Sequence, residues 1–177
     1  MKVIGIAGWS GSGKTTLVTR LIPVLVGRGL RVSSMKHAHI HFDVDKPGKD
    51  SYEHRQAGAT EVLVTSPKRW ALMHELRGAP EAGMREMIAR MTPVDLLVVE
   101  GFKHEDHDKL EVYRRVVGKP LLATQDPNVV GVLSDAPVPE VSVPVIDLND
   151  IEAVADFVVR HCGLEAAAGQ AASAEGA

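Results

Sequence analysis

The chain has one cysteine, Cys162, so no internal disulfide can form and packing alone must hold the fold. That fits a reducing compartment, and a cytoplasmic location is expected. Cys162 reads as a small core residue of the last helix. No apolar run approaches the roughly 20 residues that a membrane-spanning helix needs, so a membrane partner is not expected. The net charge of −3 comes without a long basic stripe, which argues against nucleic acid as the main partner. The first strand begins almost at once, leaving no room for a signal peptide. Aromatics are scarce at 4%, yet 45% of the 177 residues are hydrophobic, enough for one domain with a real core.

What is present is concentrated near the amino terminus. Gly8-Trp9-Ser10-Gly11-Ser12-Gly13-Lys14-Thr15 fits G-x-x-x-x-G-K-[ST] at every fixed position. The run Val3–Ala7 reads as a buried strand leading in, and Thr15 to Val26 as a helix leading out. Glycines allow successive backbone N–H groups to turn inward on a phosphate. The helix start adds unpaired N–H groups and partial positive charge. Lys14 supplies a mobile full charge, and the Thr15 hydroxyl is a hard oxygen suited to Mg²⁺. The pattern in this context implies a site for a nucleoside triphosphate with magnesium.

Farther along, strand-like and helix-like segments alternate. Leu30–Met35 reads as a strand. Asp50 is expected to cap a short helix through Ala57, with Glu53 as its capping-box partner. Glu61–Thr65 and Arg69–Leu76 read as strands split by the turn signal Ser66-Pro67. Glu81–Met91 reads as a helix and Val94–Val99 as a buried strand. Leu110–Arg114, Pro120–Thr124, Val129–Leu133 and Val143–Ile146 are further strand candidates. Asp150–Cys162 reads as a final amphipathic helix. This order predicts an α/β P-loop fold over residues 1–163, with a mainly parallel sheet covered by helices on both faces in three layers. Ligand is expected at the carboxyl ends of the strands. Residues 164–177 have almost nothing to bury and read as a disordered tail.

Glu100 ends the apolar strand and is followed by Gly101. A carboxylate at such a tip can hold Mg²⁺ directly or through water, so Thr15 and Glu100 are the candidate metal ligands, and Lys14 and Glu100 the candidate catalytic groups. A solvated carboxylate is the plainer alternative. Together with the loop, Glu100-Gly101-Phe102-Lys103, Lys36-His37-Ala38-His39, Gly48-Lys49-Asp50-Ser51 and Ala57-Gly58-Ala59 resemble the molybdopterin-guanine dinucleotide biosynthesis protein B (MobB) family, over about residues 1 to 162. The resemblance implies a GTP-binding adaptor with weak GTPase activity in molybdenum cofactor biosynthesis. It would work with the guanylyltransferase that joins GMP to molybdopterin, and would form dimers. It also implies phosphate contacts from Gly11, Ser12, Gly13, Lys14, Thr15 and Thr16, and places Lys36, His37, Asp50 and Lys103 around the phosphate pocket. The N-K-x-D segment with which many GTPases read guanine is absent. Asp126, in Ala123-Thr124-Gln125-Asp126, is the candidate base reader, although its spacing differs.

Two alternatives remain at this stage. His37, His39 and His41 alternate, and His104 and His107 lie among Glu105, Asp106 and Asp108; a metal-delivery GTPase of the nickel type carries comparable clusters. A mobile phosphate-side loop explains His37, His39 and His41 as well. A small-molecule P-loop kinase is the other alternative, although no basic lid is evident between Pro137 and Asp150. Asp43 and Asp45 read as solvated loop charge. Lys46, Lys49 and Arg55 could meet an anionic pterin phosphate or the γ-phosphate, or be ordinary surface charge. Trp9 could cover the nucleotide, touch a partner or fill a gap at the sheet edge.

Overall fold

A computed structural model describes residues 1–38 and 42–165. His39 and His41, and residues 166–177 of the predicted tail, lie outside the described residues. The described chain divides into two compact units, one built from Met1–His37 and the residues from Thr92 onward, the other from Ala38–Met91.

The first unit is organised by a six-stranded sheet. Strands β1 (Lys2–Ala7), β2 (Val32–Lys36), β5 (Leu96–Glu100), β6 (Lys109–Tyr113), β7 (Val129–Ser134) and β8 (Val145–Asp147) lie in the order β2-β5-β1-β6-β7-β8. All five pairings are parallel. The central strands must therefore be apolar on both sides, and Leu96, Leu97, Val98 and Val99 have no exposed surface. Helices α1 (Lys14–Gly27) and α4 (Ile151–Cys162) share one core with the sheet. In it Leu17, Leu21 and Leu25 meet Ile4, Ile6, Val98, Val154 and Val158. A smaller cluster of Leu121, Val129, Val132 and Val138 forms separately. The architecture is the expected three-layer α/β P-loop fold.

Two expectations for this unit differ from the structure. Pro120–Thr124 is a turn and not a strand, because the Leu122 and Ala123 amides donate to the buried Glu111 carboxylate at 2.9 and 2.8 Å. That carboxylate is pushed above its ordinary range by burial, against the pull of those two amides. Leu164 belongs to the core and not to a tail, being 7% exposed and packed with the α4 residues. Cys162 is buried as expected, and burial pushes its thiol up.

The second unit holds α2 (Asp50–Gln56), the antiparallel hairpin of β3 (Glu61–Ser66) and β4 (Arg69–His74), and α3 (Met84–Ala89). Asp50 is the first helical residue of α2 and not its cap; Lys49 holds the cap position with no side-chain bond. The predicted 81–91 helix shortens to α3 because Gly83 is extended at φ −68°, ψ 161°. Asp43 and Asp45 are engaged rather than solvated: Asp43 pairs with Arg55 at 2.8 Å, and Asp45 accepts from Ser51 Oγ at 2.8 Å. Arg55 also meets Glu75 at 3.3 Å, so it works within this unit.

Candidate functional site

β1 ends at Ala7 and α1 begins at Lys14, so the glycine-rich loop spans the carboxyl rim of the sheet. Its backbone needs glycine at both ends of the turn. Gly8 has φ +137°, and a Cβ there would stand 2.5 Å from the Val112 carbonyl. Gly13, at φ +96°, occupies the cap position of α1 with no side-chain bond, and the first turn carries no acidic residue. The helix thus begins with no side-chain cap and no acid of its own to answer its partial positive charge.

Lys14 folds back over this loop, its Nζ donating to the Trp9 carbonyl at 3.0 Å. Burial holds its pKa below the ordinary lysine range; Glu100 opposes that, and Lys36 and Lys103 add to it. The parallel register places Glu100 beside Ile6 on one flank and beside Lys36 on the other. Leu96, Val98 and Glu100 alternate on the α1 face, which brings the carboxylate to Thr15: Oγ1 donates to Glu100 Oε1 at 3.0 Å. Lys36 Nζ lies 3.4 Å from the same oxygen.

Thr15 and Glu100 are both hard oxygen donors on one rim. Among the described residues no group of three or more His, Cys, Asp or Glu is placed to hold a metal alone. One hydroxyl and one carboxylate beside a phosphate loop suit Mg²⁺, which takes one or two protein ligands and completes its shell with phosphate and water. The same set does not suit a nitrogen-rich nickel site. His107 is spent on packing: its ring lies against Gly5, both ring nitrogens are buried without a hydrogen-bond partner, and burial lowers its pKa. The Asp108 carboxylate pairs with His161 at 2.7 Å.

His37 and Phe102 lock the ends of β2 and β5 together. The His37 amide donates to the Glu100 carbonyl at 2.9 Å, and the two rings lie 4.8 Å apart. Gly101 is required between them, since a Cβ would come within 2.9 Å of His37 Cβ at φ +95°. Trp9 is tied down as well, its indole donating to the Pro120 carbonyl at 2.8 Å with Lys103 Nζ 4.5 Å above the ring. Gly11, Thr15 and Thr16 are exposed on the loop and first turn, and Ser12 is buried. Asp50 belongs to the second unit, as the opening residue of α2.

Asp126 does not fit base reading. It precedes β7 and so stands at the amino ends of the parallel strands, whereas the phosphate loop follows a carboxyl end. Its carboxylate is committed to Lys109 Nζ at 2.8 Å and to the Asn128 amide at 2.9 Å. Burial raises its pKa, but these two partners outweigh burial and the net shift is downward. Lys109 is 1% exposed and also donates to the Lys103 and Glu105 carbonyls, so Asp126 is the counter-charge of a buried lysine.

Arg114 is a site residue that sequence reasoning missed. It follows β6, donates from Nε to the Ser12 carbonyl at 3.2 Å and pairs with Asp135 at 2.9 Å. The signal existed: like Glu100, it is a charge at the carboxyl end of a strand of the parallel sheet.

Comparison with known proteins agrees with this geometry. The family model described as molybdopterin guanine dinucleotide synthesis protein B matches residues 3–135. The molybdopterin-guanine dinucleotide biosynthesis adapter protein of Escherichia coli K12 is 46% identical over 160 residues, covering 89% of this chain and 91% of that protein. The Haemophilus influenzae adapter protein is 40% identical, covering 88% and 86%. A crystal structure of molybdopterin-guanine biosynthesis protein B superposes with TM-score 0.67 at 26% identity, over 90% of this chain and 98% of that one. Bacillus subtilis MobB, at 21% identity, matches in fold with TM-score 0.70 over 92% and 98%. A match along most of the sequence, a shared fold and a phosphate loop facing Glu100 agree that the chain belongs to the molybdopterin guanine dinucleotide synthesis protein B family.

Proposed function

We propose that this protein is a GTP-binding adaptor of molybdenum cofactor biosynthesis that hydrolyses GTP slowly with Mg²⁺. The observation that carries the reading is the uncapped α1 start with Lys14, Thr15 and Glu100 converging on it. The names of the E. coli and H. influenzae relatives supply the pathway. Gly11, Ser12, Gly13, Lys14, Thr15 and Thr16 would cradle the phosphates, with Lys14 and the loop amides stabilising charge on the transferring group. Thr15 and Glu100 would hold Mg²⁺, which supplies charge neutralisation to the phosphate oxygens. Lys36 and Lys103 add positive charge around the pocket, and His37 sets the end of β5. Among the described residues no side chain stands out as a general base, so slow turnover raised by a partner is the physical expectation. That partner is the guanylyltransferase of the pathway, with molybdopterin as a candidate ligand of the assembly and the cytoplasm as its place.

A homodimer is part of the reading. Leu63, Trp70 and Leu72 share one face of the β3–β4 hairpin and are 61%, 67% and 50% exposed. A two-stranded hairpin with an open apolar face is marginal alone and gains by pairing with a second copy.

Calorimetry with GTP, GDP and ATP, with and without Mg²⁺, tests the nucleotide assignment. Mg²⁺-dependent GTP binding that ATP does not compete away is expected. Equal affinity for ATP would remove the guanine assignment, and no binding would remove the loop assignment.

A further inference from the structure

We propose that Lys36 is an exchangeable counter-ion of Glu100: in the nucleotide-free chain its ammonium occupies the carboxylate that a divalent cation would use, and it must leave before the metal binds. The inference rests on reading Thr15 and Glu100 as the metal side of the phosphate pocket.

Lys36 and Glu100 each end a strand, β2 and β5, and the parallel register makes them direct partners. Their encounter is therefore set by the backbone pairing of the sheet and not by chance contact of surface side chains. Lys36 Nζ lies 3.4 Å from Glu100 Oε1, and Thr15 Oγ1 donates to that same oxygen at 3.0 Å. Both neighbours thus present hydrogen to the carboxylate. Metal ligation through that oxygen and the Thr15 hydroxyl requires the opposite arrangement, with lone pairs of both directed at the cation.

Mobility differs between the two partners. The Glu100 side chain is 12% exposed and the Lys36 side chain 59%. The carboxylate is fixed, and the lysine is the member that can swing into solvent. Lys14 and Lys103 bring further positive charge to the same pocket. Three ammonium groups around one carboxylate repel a bare divalent cation. A polyphosphate reverses that balance, because it attracts the metal and offers the displaced ammonium a new anionic partner. Metal and nucleotide then enter together, and Lys36 sets the low metal affinity of the empty site.

Titration of the full-length, nucleotide-free protein with Mn²⁺, followed by electron paramagnetic resonance of the free ion, tests this. Wild type is expected to bind weakly. Lys36→Met and Lys36→Gln should each bind Mn²⁺ at least about tenfold more tightly, since a like charge beside the site is gone. The Lys36→Met/Glu100→Gln double variant should lose that gain. Tight Mn²⁺ binding by wild type, no gain in the single variants, or a gain that survives Glu100→Gln would each overturn the proposal. Mg²⁺–GTP binding measured alongside separates the two readings. Absence of nucleotide binding by wild type refutes the pocket itself, whereas sound Mg²⁺–GTP binding with unchanged Mn²⁺ affinity across the Lys36 variants refutes only the counter-ion role.

Discussion

Two helices of the first unit start at the same rim of the same parallel sheet, yet they finish their first turns in opposite ways. α4 follows β8 and is completed by its own residues: Asp150 accepts from the Ala153 amide at 3.0 Å, and Glu152 adds negative charge to the first turn. α1 follows β1 and is left open, with glycine at the cap, no acidic residue in the first turn and Lys14 nearby. A helix start that the chain satisfies itself is structural. One without a cap or an acid of its own, at the end of a glycine loop held in unusual backbone angles, suits the phosphate we propose for it.

The contrast predicts that substitutions at the two starts separate cleanly into binding and stability. Lys14→Ala should have the largest effect, weakening nucleotide affinity by about a hundredfold through loss of a charge-assisted contact, with little change in thermal stability; unchanged calorimetric affinity would break the comparison. Leu164→Ala, beyond the end of α4, should act on stability alone, lowering it by roughly 2–3 kcal/mol because a buried leucine leaves a cavity; chemical denaturation measures this, and wild-type stability would return the residue to the tail. Arg114→Ala should sit between the classes. Removing its bond to the Ser12 carbonyl should loosen the loop and cost about tenfold in nucleotide affinity, with Arg114→Lys failing to restore it because the Nε–Ser12 and Asp135 contacts need a guanidinium. The smallest effect is expected for Asp150→Ala, about 1 kcal/mol of stability and no change in nucleotide affinity.

The depressed pKa of Lys14 carries a pH signature. Burial disfavours its charged form in the nucleotide-free protein. The unfolded chain then binds more protons between the folded and the ordinary lysine pKa, so the penalty is fully present below that window and stability recovers as pH rises through it. Nucleotide affinity should fall over the same alkaline range, since binding requires the protonated amine, and Lys14→Ala should flatten that dependence in calorimetry.

Local chemistry made much of this legible. The strand, loop and helix around Gly8–Thr15 are written in adjacent residues, as are Glu100 at the tip of an apolar run and the amphipathic helix beginning near Asp150. Segments whose partners are remote in sequence were not legible. Pro120–Thr124 looks like a strand until Glu111, nine residues before it, takes two of its amides. Asp126 looks available until buried Lys109 claims it. Arg114 reads as the end of a strand until the fold sets it against Ser12.

By itself the sequence determined that a glycine-rich loop joins the first strand to a helix and which strand end faces it with a carboxylate, because turn geometry and apolar periodicity act between near neighbours. Tertiary structure alone decided which charges are spent and which are left open. That choice depends on pairings across the sheet, such as Lys36 with Glu100 and Arg114 with Ser12, which no interval along the chain encodes.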